Sequence, residues 1–195
     1  MAQSQVPIPA LAAVARFVGV VFPTMFCGIT SQYSIIFVQP IVDHAPTKVA
    51  AKQWLQGYQL GPVWVPPIVA PGTAANVFLA IIAKTPLQRN LYVAAALCIF
   101  SIMPITFFYM EPGINGALKW KIQSLLKDEG MNWGETSIFA PSVTKHSATQ
   151  AARRWAEKTD LKELIRFWRR INDFRYVIGG VAALLSGYAT FSQLG

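Results

Sequence analysis

Four long apolar segments constrain this chain more than any other feature of its sequence. Residues 17–38, 60–83, 91–110 and 176–194 contain no charged side chain. Each is close to the roughly 20 helical residues that cross the 30 Å hydrocarbon core of a bilayer. Only 13% of all residues are charged, about half the share in soluble domains. We therefore predict an all-α integral membrane protein, a four-helix bundle forming a single domain over residues 1–195.

The continuous apolar runs favour helices over a β-barrel, whose strands alternate between apolar and polar residues. The second segment contains Pro62, Pro66, Pro67 and Pro71. Proline lacks the N–H that continues a helix. We therefore expect regular helix to begin near Pro71, with the preceding piece bent or re-entrant. The third segment is expected to end at the break formed by residues 111–113.

A long basic loop precedes the last span. Residues 111–175 contain 12 of the 17 Lys and Arg residues. Positively charged loops stay cytosolic, so we expect this loop and the first one to face the cytosol and both termini to face the lumen. The net charge of +8 therefore indicates a lipid bilayer with anionic headgroups as the partner, and no nucleic acid.

Apolar spacing predicts two amphipathic helices within this loop. One covers residues 115–127 and places three lysines away from its apolar face, namely Lys119, Lys121 and Lys127. The other covers residues 160–175, and Asp160 can cap its first turn. Residues 130–148 are rich in Gly, Ser, Thr and Pro, which predicts an irregular loop.

The second amphipathic helix has an informative register. Its apolar stripe, which includes Leu161, Ile165 and Trp168, extends onto Asn172 and Arg175. A buried polar group without a partner costs about 1–3 kcal/mol, so both side chains need partners. In one interpretation, Asn172 braces a neighbouring helix while Arg175 reaches the lipid headgroups. In the other, both line a pocket at the cytosolic membrane boundary.

Further candidates lie near the same boundary. Asn115 is either a helix N-cap or a pocket residue. Thr106 and Tyr109 offer hydroxyl groups to the pocket, although Thr106 alone can also bond a backbone carbonyl. The two histidines, His44 and His146, have no ligand partner at helical spacing, so the sequence predicts no metal site.

Two runs resemble the anthrone oxygenase-like family of small four-span membrane proteins: MPITFFYMEPGINGAL (103–118) and WRRINDFRYVIGG (168–180). The family pattern combines a Pro-x-Thr span end, a Pro-x-x-Asn break and a Trp-x-x-x-Asn-x-x-Arg start of the last span. The positions that match are Pro104, Thr106, Pro112, Asn115, Trp168, Asn172 and Arg175. The layout also agrees over most of the chain.

The resemblance implies a monooxygenase of fungal secondary metabolism that uses dioxygen to oxidise a polyketide anthrone to an anthraquinone. It implies no cofactor, because the electron-rich enolate of an anthrone reacts with dioxygen directly. Arg175 and Asn172 would stabilise the enolate oxygen, Asn115 would orient a substrate hydroxyl or carbonyl, and Trp168 would stack on the rings. Tyr109 and Glu111 are candidates for the base. The endoplasmic reticulum is the implied membrane.

A second class of function remains open at this point. The chain is alternatively a non-catalytic membrane scaffold, or a small-molecule carrier, associated with a biosynthetic pathway. A carrier is expected to contain broken helices at matched positions of two repeated halves. Only the second segment is broken by prolines, and the first two segments do not resemble the last two.

Overall fold

A computed structural model of the protein describes residues 8–138, 140 and 142–192. The α-helices of these residues are α1 Ile8–Gln32, α2 Val38–His44, α3 Thr47–Ile82, α4 Pro86–Pro104, α5 Gly116–Leu125, α6 Gln150–Lys158 and α7 Leu161–Phe191. A π-helical segment, Tyr33–Phe37, joins α1 to α2, and a longer one, Ile105–Asn115, joins α4 to α5. A short 3₁₀-helix, Lys127–Glu129, follows α5.

The predicted all-α membrane fold is confirmed. Within the described residues, four helical segments are long and apolar enough to cross a membrane: Pro9–His44, Thr47–Ile82, Pro86–Leu125 and Leu161–Phe191. The same residues contain no β-strand. Each segment is longer than the roughly 20 residues a span requires, so the helices continue past the uncharged runs. The predicted end of the last span, at residues 193 and 194, lies outside the described residues.

The expectation of a broken second segment is wrong. Helix α3 runs without interruption through all four prolines, from Thr47 to Ile82. The physical reason is the surroundings. Lipid offers no water to the backbone, so the remaining N–H groups keep their helical partners, and neighbouring groups can satisfy the carbonyls that proline leaves free.

The predicted break at residues 111–113 is a kink rather than a helix end. Gly113 has non-helical angles, φ −96° and ψ −108°, while helical structure continues on both sides. Two carbonyls beside the kink find partners in the following loop. The Ser147 hydroxyl donates to the Glu111 carbonyl over 3.0 Å, and the Thr149 N–H donates to the Pro112 carbonyl over 3.2 Å. The loop therefore stabilises the kink.

The described residues of the 130–148 segment, which leave out 139 and 141, form the irregular loop that the sequence predicts. They contain an isolated bridge between Glu135 and His146. The loop backbone passes so close to α5 that a Cβ on Gly116 would lie 2.7 Å from the Ala148 Cα. Glycine at position 116 is therefore required for this close packing.

The end of the basic region differs from the prediction in two respects. Helix α6 was not predicted, because its nine residues are too short for a clear apolar period. The predicted amphipathic helix and the last span form one continuous helix, α7, of 31 residues. Asp160 caps this helix as expected, accepting a hydrogen bond of 2.8 Å from the Lys162 N–H.

The chain divides into two compact units. Of the described residues, the first contains those up to Gly28, Val65–Ile102 and those from Tyr176 onward. Small side chains such as Ala75 and Ala189 contribute to its core, as is typical of helices that pack closely in lipid. The second unit contains Ile29–Trp64 and Met103–Arg175. Its core is rich in large aliphatic and aromatic side chains, and it holds the polar groups described next.

Candidate functional site

Three buried polar side chains follow one another along the junction between the longer π-helical segment and α5. Glu111, Asn115 and Lys119 are spaced by four residues and are only 3%, 2% and 0% exposed. Side chains four residues apart lie on the same face of a helix. Charged side chains are almost never fully buried unless they are paired. This column therefore requires partners inside the second unit.

Glu111 and Lys119 form a buried ion pair. The Lys119 Nζ lies 2.9 Å from the Glu111 Oε2. The ammonium group donates two further hydrogen bonds, to the Tyr58 hydroxyl over 3.1 Å and to the Ser142 carbonyl over 3.2 Å. An ammonium has three N–H donors, and each of them has an acceptor here.

Tyr58 of α3 completes what we call the Glu111 cluster, consisting of Tyr58, Glu111, Asn115 and Lys119. The Tyr58 hydroxyl donates to the Glu111 Oε1 over 2.6 Å. This distance is typical of a charge-assisted O–H···O⁻ bond. Trp54 stacks on the Tyr58 ring at a centroid distance of 5.2 Å, and the Lys119 Nζ lies 4.9 Å from the same ring centroid. These contacts fix the position of the phenol.

Asn115 links the Glu111 cluster to α7. Its Nδ2 donates to the Glu111 Oε1 over 2.7 Å, and its Oδ1 accepts from the Trp168 Nε1 over 3.0 Å. Its side chain makes no capping bond, so the N-cap interpretation is wrong. The indole of Trp168 also meets Trp54 edge to face, with ring centroids 5.8 Å apart. Asn115 thus orients Trp168.

A second polar group, the Arg175 cluster, consists of Thr30, Ser34, Asn172 and Arg175. The Asn172 Nδ2 donates to the Thr30 carbonyl over 3.1 Å and to the Ser34 hydroxyl over 3.0 Å. Its Oδ1 accepts from an Arg175 nitrogen over 3.1 Å. Both donor hydrogens of the amide are therefore in use, and its oxygen holds the guanidinium.

The burial of Arg175 bears on the two interpretations drawn from the sequence. Asn172 braces residues of the first helical segment, as the first interpretation expects. Arg175 is only 7% exposed, so it does not extend outward from the second unit. The guanidinium and the Glu111 carboxylate also attract each other electrostatically. The arrangement is a fixed cation beside a buried acid–base cluster.

A comparison with protein families shows which family the chain belongs to. The model of the family Anthrone oxygenase matches residues 54–185, about two thirds of the chain. The chain belongs to the anthrone oxygenase family. No curated protein and no solved structure matches it. The matched region contains the whole Glu111 cluster and, from the Arg175 cluster, Asn172 and Arg175.

The structure of this anthrone oxygenase family member brings four of the six candidate site residues into two bonded pairs. Asn115 bonds to Trp168, and Asn172 bonds to Arg175. Thr106 is half-buried on the π-helical segment. Tyr109 is 56% exposed and does not join the buried groups.

Sequence reasoning missed the part that Lys119 and Tyr58 play. Lys119 was expected away from the packing face, yet it is completely buried. The missed signal is the four-residue spacing from Glu111 through Asn115 to Lys119, which continues one face across the kink at Gly113. Nothing in the sequence indicated the role of Tyr58, because its hydrogen-bond partners lie more than fifty positions later.

The two histidines do not lie in either cluster. His44 ends α2, and His146 lies in the irregular loop with its ring 5.1 Å from Trp120. Burial, and then the charge of Arg153, lower the pKa of His146, while Glu135 opposes this shift. Among the described residues, no three His, Cys, Asp or Glu side chains are placed to hold a metal ion.

A cleft of about 590 Å³ lies elsewhere in the second unit. None of the candidate site residues lines it. Its lining residues come from α5, α6 and the segment after α5, and they are Trp120, Gln123, Ser124, Lys127, Gly130, Met131, Asn132 and Glu157.

Proposed function

We propose that this protein is a membrane-bound anthrone oxygenase of fungal secondary metabolism, which uses dioxygen to oxidise a polyketide anthrone to an anthraquinone without a metal or flavin. The observation that carries the proposal is the buried guanidinium of Arg175, held by Asn172 in a chain of this family. A fixed cation shielded from water is the group that an enolate needs.

The reaction requires little of the protein beyond acid–base and electrostatic help. Removal of one proton from the CH₂ group of the anthrone gives an enolate, which adds dioxygen at that carbon to form a peroxide. Protonation of the peroxide, loss of the second C–H proton and cleavage of the O–O bond give the ketone and water. One anthrone and one dioxygen thus become one anthraquinone and one water, and the substrate supplies all the electrons.

In this proposal Arg175 stabilises the negative oxygen of the enolate. Donors preorganised in a dry site act most strongly on charge that develops during the reaction. Asn172 acts through Arg175, since its own donors bond to Thr30 and Ser34. Asn115 orients Trp168, which contacts the flat ring system of the substrate.

The test is oxygen uptake by purified protein in detergent supplied with an anthrone. Arg175→Ala should lower kcat by about 100-fold or more, as loss of an oxyanion donor does. Arg175→Lys keeps the charge but loses the planar fork, so its activity should lie between those of the wild type and the alanine variant.

Arg170→Ala is the matched control, because Arg170 lies on the same helix with an exposed side chain. It should retain the wild-type rate. Micelles without protein give the rate of the uncatalysed oxidation, which is subtracted. Wild-type protein that does not exceed this background would refute the oxygenase proposal and favour the scaffold.

The proposal includes residence in the endoplasmic reticulum with both termini in the lumen. It is supported by the positive charge of residues 111–175, which favours a cytosolic location for this loop. An N-glycosylation acceptor added at either terminus should be glycosylated, whereas one inserted in the 130–148 loop should not. The reverse pattern would contradict the proposed orientation.

A further inference from the structure

The Glu111 cluster contains a charge pair that stability alone does not explain. Lys119 and Glu111 are 0% and 3% exposed, yet replacing a buried ion pair with apolar residues is often neutral or stabilising. All three donors of the ammonium and both oxygens of the carboxylate have partners. Such a complete network is suited to holding a proton-transfer group in place.

Tyr58 is the least buried member of the network. Its side chain is half-buried, while Glu111 and Lys119 are buried. Its hydroxyl donates to the Glu111 Oε1 over 2.6 Å and accepts from the Lys119 Nζ over 3.1 Å. The half-buried Tyr58 side chain therefore connects the buried carboxylate of Glu111 with the less buried part of the second unit.

We propose that Tyr58 takes the proton from the substrate carbon while passing its own hydroxyl proton to Glu111, with Lys119 holding both groups in place. The inference rests on the proposed oxygenase function and supplies the base that this function requires. Tyr58 is then a catalytic residue, Glu111 is the proton store, and Lys119 is a positioning residue.

The bonds and charges of this step balance. The C–H bond of the anthrone breaks and an O–H bond forms at Tyr58, while the original Tyr58 O–H bond breaks and one forms at Glu111. The negative charge of the carboxylate thereby moves to the enolate oxygen, and no net charge is created. In the proposed function, Arg175 stabilises this new anion. The same route in reverse returns the proton to the peroxide, and the second C–H proton leaves with the departing oxygen as water.

The key variant is Tyr58→Phe, which removes the hydroxyl and keeps the ring. For an anthrone that is protonated at the assay pH, kcat/KM should fall by about 100-fold or more, the usual contribution of acid–base catalysis. The primary isotope effect with an anthrone deuterated at its CH₂ group should also rise. Glu111→Gln should behave in the same way, since an amide cannot accept the proton.

A second substrate separates proton transfer from simple loss of structure. An anthrone with electron-withdrawing groups, already ionised at the assay pH, has no such proton to lose. Tyr58→Phe should oxidise it at close to the wild-type rate. Equal losses with both substrates, or full activity of Tyr58→Phe with the protonated one, would overturn the inference.

Tyr92→Phe is the matched control. Tyr92 is a fully buried tyrosine whose hydroxyl lies 3.1 Å from the Thr190 hydroxyl, in the first unit of the chain. It should oxidise both substrates at the wild-type rate. Wild-type protein that accelerates neither substrate would refute the oxygenase proposal itself, and this outcome differs from the failure of the relay alone.

Discussion

Replacement of Lys119 by methionine is the sharpest test of how the second unit is stabilised. Methionine fills a similar volume but removes the cation, which leaves the Glu111 carboxylate, 3% exposed, without its counter-ion. Breaking a buried pair in this way costs about 3–5 kcal/mol. The Ser142 carbonyl also loses its donor, which loosens the loop at the kink.

The double variant Lys119→Met, Glu111→Gln should recover much of this loss. The glutamine carbonyl can still accept from Tyr58 and Asn115, and neither of the two replaced positions carries an unpaired charge. Its NH₂ group then lacks a partner, which costs about 1–3 kcal/mol. We therefore expect the double variant to be more stable than Lys119→Met alone, with a coupling energy of at least about 2 kcal/mol between the two positions.

The measurement is unfolding in mixed micelles with increasing dodecyl sulfate, followed by tryptophan fluorescence. Lys127→Met is the control, because Lys127 is exposed and its replacement should change the free energy of unfolding by less than about 0.5 kcal/mol. The reasoning fails if Lys119→Met is as stable as this control. It also fails if the double variant loses the sum of the two single effects.

Three further predictions concern other parts of the molecule. Gly116→Ala should lower the free energy of unfolding by about 1–3 kcal/mol, because its Cβ would lie 2.7 Å from the loop backbone. Gly187→Ala, with open space at its Cβ, should not be destabilising. Unfolding in dodecyl sulfate measures both variants. Ser34→Ala removes one acceptor from Asn172 and should cost about 1 kcal/mol. Its loss of oxygen uptake should be smaller than that of Asn172→Ala, which removes the bond between the guanidinium and the amide oxygen. Equal losses would contradict the positioning role of Asn172. Burial lowers the pKa of His146 in the folded protein. The stability that depends on the neutral ring is therefore complete above about pH 6.5 and is lost as the pH falls through the lower folded pKa. Limited proteolysis of the 130–148 loop should accelerate over this pH range in the wild type and not in His146→Gln.

Much of the fold follows from local physical rules. The uncharged length of residues 91–110 or 176–194 is sufficient to predict a membrane helix, because lipid excludes unpaired backbone and charged side chains alike. The rule that proline interrupts a helix, which holds in water-soluble proteins, gave a wrong prediction for α3. The full length of α7 was not predicted either, because a charged residue ends an apolar segment but does not end a helix.

The site was predictable to a smaller degree. The register of residues 160–175 correctly placed Asn172 and Arg175 on the packing face, where both are buried. The partners of Asn172 were not predictable, because Thr30 and Ser34 lie more than 130 positions earlier in the chain. The apolar spacing placed Lys119 away from the apolar face of its helix, whereas the structure buries it, and its pairing with Glu111 permits this burial.

The most direct test of the oxygenase account is isotope labelling with purified wild-type protein, an anthrone and ¹⁸O₂. The account predicts that anthraquinone forms faster than in protein-free micelles and that its new carbonyl carries one ¹⁸O atom, with the other in water. It also predicts that Arg175→Ala reduces this rate toward the micelle background. Formation of the quinone at the background rate, or a new carbonyl oxygen derived from water, would contradict the account.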